Sequence, residues 1–176
     1  MKPTAFFLVM IMAAVTSHTL SGQDEKQEAA VTEKRQFNGF HSLIVSGLAE
    51  VYLQEGPARE VKLVVSGMPT DDVVVMTADS VLNIYTKGSH NGESVKVYVN
   101  YVTLRSIAVS GASKLSGEST VKTDNLTISV TNSGDAALDV DVNNLTVILK
   151  QAGDLKITGK ANKQEIRSVG NGDMLP

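Results

Sequence analysis

From Phe37 onward the apolar residues of this chain fall at alternate positions in short runs: Leu43-Ile44-Val45, Val51-Tyr52-Leu53, Val61 to Val65, Val73 to Val75 and Val95 to Val99. Gly, Asn, Asp or Ser bound these runs. A period of two marks half-buried strands, and no window repeats at the 3.6 period of a long amphipathic helix. Pro57 and Pro69 sit in Gly-flanked breaks, where a missing N–H does no harm. The body is expected to be nearly all β.

After Tyr101 the pattern becomes a repeat. Leu126-Thr-Ile128-Ser-Val130, Leu145-Thr-Val147-Ile-Leu149 and Glu165-Ile166-Arg167 follow one another at a step of 19 residues, which spaces Ile128, Val147 and Ile166 evenly. The turns keep the same step. Gly134-Asp135, Gly153-Asp154 and Gly172-Asp173 each open a second apolar strand, so Ala136, Leu155 and Met174 correspond, as do Leu138 and Ile157, with Gly111 as a looser earlier copy of the turn. The run from Ile44 to Leu53 around Gly47 has the same grammar. A repeat this short cannot bury its apolar side chains alone and must stack on its neighbours. The expected fold is therefore an all-β, parallel β-helix-like solenoid with coils of about 19–22 residues and a less regular N-terminal half. Equivalent residues would lie about 4.8 Å apart, like on like. A two-sheet β-sandwich is the alternative, although sandwich turns have no reason to match at a fixed step.

The first 36 residues differ. Lys2 precedes an uncharged stretch from Ala5 to Val15 and then small and polar residues from Thr16 to Gly22, the three regions of a secretory signal peptide. The apolar stretch is too short for a hydrocarbon core of about 30 Å, which takes roughly 20 residues. Residues 1–22 are expected to be removed, with a mature start between His18 and Gln23 and no transmembrane segment remaining. Residues 23–36 hold seven charged side chains and three apolar ones, so they are expected to form a polar linker to a domain at residues 37–176.

Composition narrows the function classes. Among 176 residues there are 16 Lys plus Arg against 19 Asp plus Glu, for a formal charge of -3. That balance excludes a nucleic-acid footprint. The absence of Cys excludes a disulfide framework, a thiolate metal site and a lipid-attachment cysteine. The mature aromatics, Phe37, Phe40, Tyr52, Tyr85, Tyr98 and Tyr101, all precede residue 102, leaving an aliphatic interior for the regular coils.

These residues together resemble the putative auto-transporter adhesin head (GIN) domain family of exported Gram-negative proteins. The carriers are Arg35-Gln-Phe37-Asn-Gly39-Phe40-His-Ser-Leu-Ile44-Val-Ser-Gly47, Tyr101-Val-Thr-Leu104-Arg-Ser-Ile107-Ala-Val-Ser-Gly111-Ala112, and the Gly-Asp turns at 134–135 and 153–154. The resemblance implies a right-handed solenoid and a role in surface adhesion. Members of that family often continue past the last turn, whereas this sequence stops at Pro176.

Candidate chemistry is sparse. Asp135, Asp154 and Asp173 would form an acidic ladder able to hold Ca²⁺ through carboxylate oxygens, relieving a repulsion of about 3 kcal/mol at ~5 Å and an effective dielectric of 20. Turn chemistry accounts for the same Gly-Asp pairs without a cation, and Gly111, Gly134, Gly153 and Gly172 are read as structural turns. Asp139-Val-Asp141-Val-Asn143 opens like an EF-hand loop but has Asn144 where Gly is needed and Lys150 where a bidentate Glu belongs. His41 and His90 lack ligand-spaced partners. Arg105, Lys150, Lys156 and Arg167 are available as bases, but nothing singles one out. Asn125-Leu-Thr127 and Asn144-Leu-Thr146 match glycosylation sequons, yet recur at the coil step and read as corners. No catalytic residue, cofactor or resident metal is expected. The expectation is an exported non-enzymatic protein, periplasmic, at the surface or secreted, that binds a protein or glycan through its outer faces. A homo-oligomer through the solenoid end is a further expectation, because the last coil has an open strand edge. A carbohydrate-active enzyme or glycan-binding module on the same scaffold is the alternative.

Overall fold

The computed structural model describes residues 30–37, 39–88 and 93–170, and the backbone of Met174 and Leu175. Thirteen strands join in one curled sheet: β1 (Val31–Gln36), β2 (Ser42–Ser46), β3 (Glu50–Glu55), β4 (Glu60–Ser66), β5 (Val73–Ala78), β6 (Val81–Thr86), β7 (Ser94–Tyr101), β8 (Ser106–Ser110), β9 (Lys114–Gly117), β10 (Val121–Thr131), β11 (Asp135–Lys150), β12 (Asp154–Val169) and β13 (Met174–Leu175). Among the described residues the only helical element is a 3-10 turn at Thr70–Asp72. None of their helices is long and apolar enough to cross a membrane.

Two series of parallel pairings run through the sheet. The first passes from β6 through β2, β8 and β10 into the later parts of β11 and β12. The second passes from β7 through β3 and β9 into the opening parts of β11 and β12, and on to β13. The register is the one the repeat predicts: Ile128 opposes Val147, Val147 opposes Ile166, Ala136 opposes Leu155 and Leu155 opposes Met174. Inside, Leu82, Leu43, Ile107, Ile128 and Val147 form one buried line, and Val97, Val51, Leu115, Ala136 and Leu155 form another. Each fully buried aliphatic side chain contributes roughly 1.5–3 kcal/mol relative to an exposed one, so the two lines together hold the ladders shut.

The sheet is mixed, where a purely parallel one was expected. β5 pairs antiparallel with β6, β4 with β7 and β1 with β4. The N-terminal half is thus more than an irregular coil. Parallel ladders beginning at β6 and β7 would leave two raw edges, and β5 on one and β4 with β1 on the other supply the missing partners. Asp79 and Ser80, with φ of 49° and 63°, make the two-residue turn of the β5–β6 hairpin. β2 and β3 then lie between the β6–β7 rung and the β8–β9 rung, although they come earlier in the chain.

The polar segment expected to end at Gln36 also differs, because its last six residues form β1. It has no apolar face to bury. Its hold comes instead from backbone pairing to β4 and the Lys34–Glu60 ion pair at 3.2 Å, while Arg35 pairs with Glu33 within β1 itself at 2.7 Å.

The corner glycines are of two kinds, which corrects the expectation of one repeated turn. Gly47, Gly111, Asn132, Gln151 and Gly170 occupy one position on successive rungs, all with positive φ between 53° and 118°. Two residues further on, Ala49, Ser113, Gly134 and Gly153 form a buried column of small residues. Gly111 therefore matches Asn132, while Gly134 is opposed by Ser113, and Gly172 lies outside the described residues. Gly134 and Gly153 are needed for space, since a Cβ on Gly153 would stand 2.8 Å from Val130 Cγ1 and 3.0 Å from the Gly134 carbonyl. Gly153→Val is expected to cost about 1–3 kcal/mol by overpacking, whereas exposed Lys156→Ala should stay within about 0.5 kcal/mol. Equal urea midpoints for the two variants would contradict the corner assignment.

Candidate binding face

Strand alternation turns every second side chain of the second ladder outward, and register then aligns them across strands. Lys62, Tyr98, Tyr52, Ser116, Ala137 and Lys156 fall on one line across β4, β7, β3, β9, β11 and β12. The Tyr52 and Tyr98 rings stack with centroids 5.0 Å apart and planes at 16°. Lys62 Nζ lies 5.4 Å from the Tyr98 centroid, close enough for a cation–π attraction. Tyr98 is 40% exposed, among the most exposed large apolar side chains described. Tyr52 Oη donates to Glu50 Oε2 at 3.2 Å. Desolvation, and then the Glu50 charge, raise the Tyr52 phenol above its usual pKa, so it is a neutral donor at physiological pH.

A second outward line runs beside the first: Lys96, Glu50, Lys114, Asp135 and Asp154. On the other side Asp139 Oδ2 accepts from Thr120 Oγ1 at 2.5 Å and Oδ1 from Thr158 Oγ1 at 2.9 Å. The bond from Thr120, then that from Thr158, holds the Asp139 carboxyl below the usual carboxylate range. A lowered folded pKa means that the contribution is complete above the unfolded value, near 3.9, and is lost as pH falls through the folded one. Asp139→Asn is therefore expected to lower the midpoint slightly at neutral pH. The difference from wild type should shrink below about pH 4, as read by urea melts at several pH values. A pH-independent difference would contradict it.

Two shallow depressions meet over Ala137 and Lys156. One, of 160 Å³, is bordered by Lys114, Ser116, Asp135 and Asp154, and the other, of 310 Å³, by Gly117, Asp139 and Thr158. At the end of the stack a separate cavity of 410 Å³ opens between β11 and β12, with Val140, Leu145, Val147, Ile157 and Ile166 in its wall. It lies at the β12 side of the sheet, where among the described residues β13 is the only strand besides β11 that pairs with β12.

The residues singled out by sequence distribute as follows. Asp135 and Asp154 are direct neighbours in register, with Lys114 opposing Asp135 on its other side. Asp173 lies outside the described residues, as does His90. Among the described residues no three His, Cys, Asp or Glu side chains gather closely enough to hold a metal ion. Asp141 is flanked in register by Lys122 and Lys160, and Asn143 joins an amide ladder. That ladder crosses β10, β11 and β12, Asn143 Nδ2 donating to Asp124 Oδ1 and Asn162 Nδ2 to Asn143 Oδ1, each at 2.7 Å. Asn144 donates to Asn125 at 3.0 Å, the two sequon asparagines being paired in register on β11 and β10. His41 Nδ1 lies 3.3 Å from Ser42 Oγ. Arg167 pairs with Glu165 at 2.6 Å, Lys150 is exposed, and Arg105 lines a polar hollow with Thr103, Thr123, Asp124 and Asn125.

Sequence reasoning missed the tyrosine pair. Its signal was present, because Val51-Tyr52-Leu53 and Val97-Tyr98-Val99 share one pattern. Their spacing is not the coil step, and only the placement of β3 beside β7 reveals it.

Comparisons with known proteins agree on the architecture. A family model described as "Putative auto-transporter adhesin, head GIN domain" matches residues 39–175. No curated protein matches the chain. Among solved structures, a putative lipid binding protein from Parabacteroides distasonis is similar with a TM-score of 0.63 at 15% identity, over 83% of this chain and 73% of that one. A putative adhesin from the same organism gives 0.62 at 21%, over 84% and 73%. A putative adhesin from Parabacteroides merdae gives 0.58 at 18%, over 83% and 80%. At these identities the likeness is one of fold.

Proposed function

The chain belongs to this adhesin head family, and from that premise we propose that it is an exported, non-enzymatic binding protein of the cell surface or periplasm that engages its partner through the outer face of the Tyr52 ladder. The observation that carries the reading is the register. Parallel pairing at fixed steps lays aromatic, charged and small residues in straight lines on a rigid sheet, which suits extended contact with a repetitive partner. The same register supports a finer description of the fold as a β-solenoid whose first rungs are closed off by antiparallel strands. Adhesin names among family and neighbours support a binding role over an enzymatic one. The leader, the linker and the start of the mature chain between His18 and Gln23 belong to the same proposal. N-terminal sequencing of exported material checks it, and a start at Met1 would contradict it.

Mucin-coated beads test the function. Folded mature chain is expected to be retained above albumin-coated beads, and loss of retention in Ala137→Arg, which fills the centre of the face, is the supporting result. Retention no higher than on albumin would count against a surface-binding role.

A second reading rests on the apolar end cavity. A lipid chain would fit its wall of Val140, Leu145, Val147, Ile157 and Ile166, and one structural neighbour is named a putative lipid binding protein. Ile166→Lys should abolish binding on that reading and leave the outer-face reading intact.

A further inference from the structure

The tyrosine stack has two ends, and they are finished differently. Lys62 lies over Tyr98 at one end. At the other, the rungs next to Tyr52 carry only Ser116 and Ala137 before Lys156 rises three rungs away. At about 4.8 Å per rung, roughly 14 Å of face separates Tyr52 from Lys156, floored by a hydroxymethyl and a methyl group. We infer that this slot binds the ring of a neutral pyranose, stacked on the face of Tyr52 that Tyr98 leaves free.

The chemistry is complementary on three sides. The C–H face of a pyranose carries partial positive charge and is drawn to the negative face of an aromatic ring, by the same quadrupole that attracts Lys62 to Tyr98. Hydroxyls at the ring's rim meet Lys114 and Asp135 on one side and Asp139 on the other. A carboxylate can accept from two neighbouring hydroxyls, and an ammonium donates to a ring or hydroxyl oxygen. Asp139 is held in place from both directions by Thr120 and Thr158, so little ordering is left to be done on binding. Asp135, Asp139 and Asp154 together outnumber Lys114 and Lys156 around the slot, which disfavours uronates and sulfated sugars. One ring in an open slot binds weakly. A polymer that presents many such rings to many copies of the chain on one surface gains through avidity, which is how an adhesive role would use it.

The inference deepens the outer-face reading and rests on it. The test titrates the mature chain with lactose, cellobiose and maltose, and with a hyaluronan disaccharide as the acidic probe, following amide NMR shifts. The expected result is saturable shifts with at least one neutral disaccharide, centred on Tyr52, Ser116 and Ala137, and weaker response to the acidic probe. Tyr52→Ala and Ala137→Arg should weaken that binding at least tenfold, Tyr52→Phe should retain it, and Tyr85→Ala should leave it unchanged. Because the two disruptive variants act on outward positions, unchanged circular dichroism and urea midpoints separate lost binding from lost fold. No saturable shift with any neutral disaccharide, equal affinity in Tyr52→Ala and wild type, or preference for the acidic probe would each overturn the slot. Mucin retention that persists in both disruptive variants would overturn the slot while leaving a surface-binding role. Sugar binding without mucin retention would overturn the surface role while leaving the slot.

Discussion

Val147→Asp is expected to leave too little folded protein at 25 °C for a measurable urea transition. Val147 is fully buried on β11, with Ile128 on one side in register and Ile166 on the other. The new carboxylate would face an aliphatic line with no donor of its own. A buried polar group without a partner costs about 2–7 kcal/mol and an ionised one more, so the group would have to stay protonated. Against a total stability of roughly 5–15 kcal/mol, that loss is decisive. Val147→Ile tests the same position for volume alone and should cost less than the ~1–3 kcal/mol of overpacking, because the added methylene can enter the 410 Å³ end cavity that Val147 lines. If Val147→Asp instead melts within about 1 kcal/mol of wild type, the side chain does not point inward and the register is wrong.

Gly159→Val has the second-largest expected effect. Gly159 lies within β12, opposite Val140, with φ of 109°, and a Cβ there would stand 2.0 Å from the Val140 carbonyl oxygen and 2.8 Å from its nitrogen. Strain at such a φ costs about 1–3 kcal/mol, and the collision with β11 adds about 1–3 kcal/mol. Since backbone rather than a side chain is in the way, the neighbour cannot swing aside. Hydrogen exchange should show the pairing of Lys160 to Ile166 with β11 loosened first. Gly39→Val is the control, because nothing lies within 4 Å of its Cβ position. Similar losses at both glycines would contradict the account.

What could be read from sequence follows from how local each interaction is. The step from Ile128 to Val147 to Ile166 was legible because parallel stacking puts chemically similar residues in contact, and selection for a dry interior then writes the period into the chain. The antiparallel pairing of β1, β4 and β5 was not, since their partners are set by which edges the later strands leave open. Val31–Gln36 shows this most plainly. Its composition says solvated, and its backbone hydrogen bonds to β4 decide otherwise. At the corners, glycine identity misled: Asn132 and Gln151 hold the positive-φ position that Gly111 holds one rung earlier, so the motif is a backbone conformation carried by three residue types. The binding face was hidden for a related reason. Tyr52 and Tyr98 are 46 residues apart, an offset unrelated to the 19-residue step between the later strands, and the small residues beside them mean nothing until the strands are in order.

Hydrogen exchange of the whole mature chain, free and bound to mucin-coated beads, tests the central claim most directly, because it reports which backbone segments the partner covers. The account predicts added protection in β3, β9 and the opening residues of β11 and β12, Asp135 to Asp139 and Asp154 to Thr158, where the outer face lies. Protection confined instead to Lys160 through Ile166 and to Leu145 through Val147, around the end cavity, would contradict it.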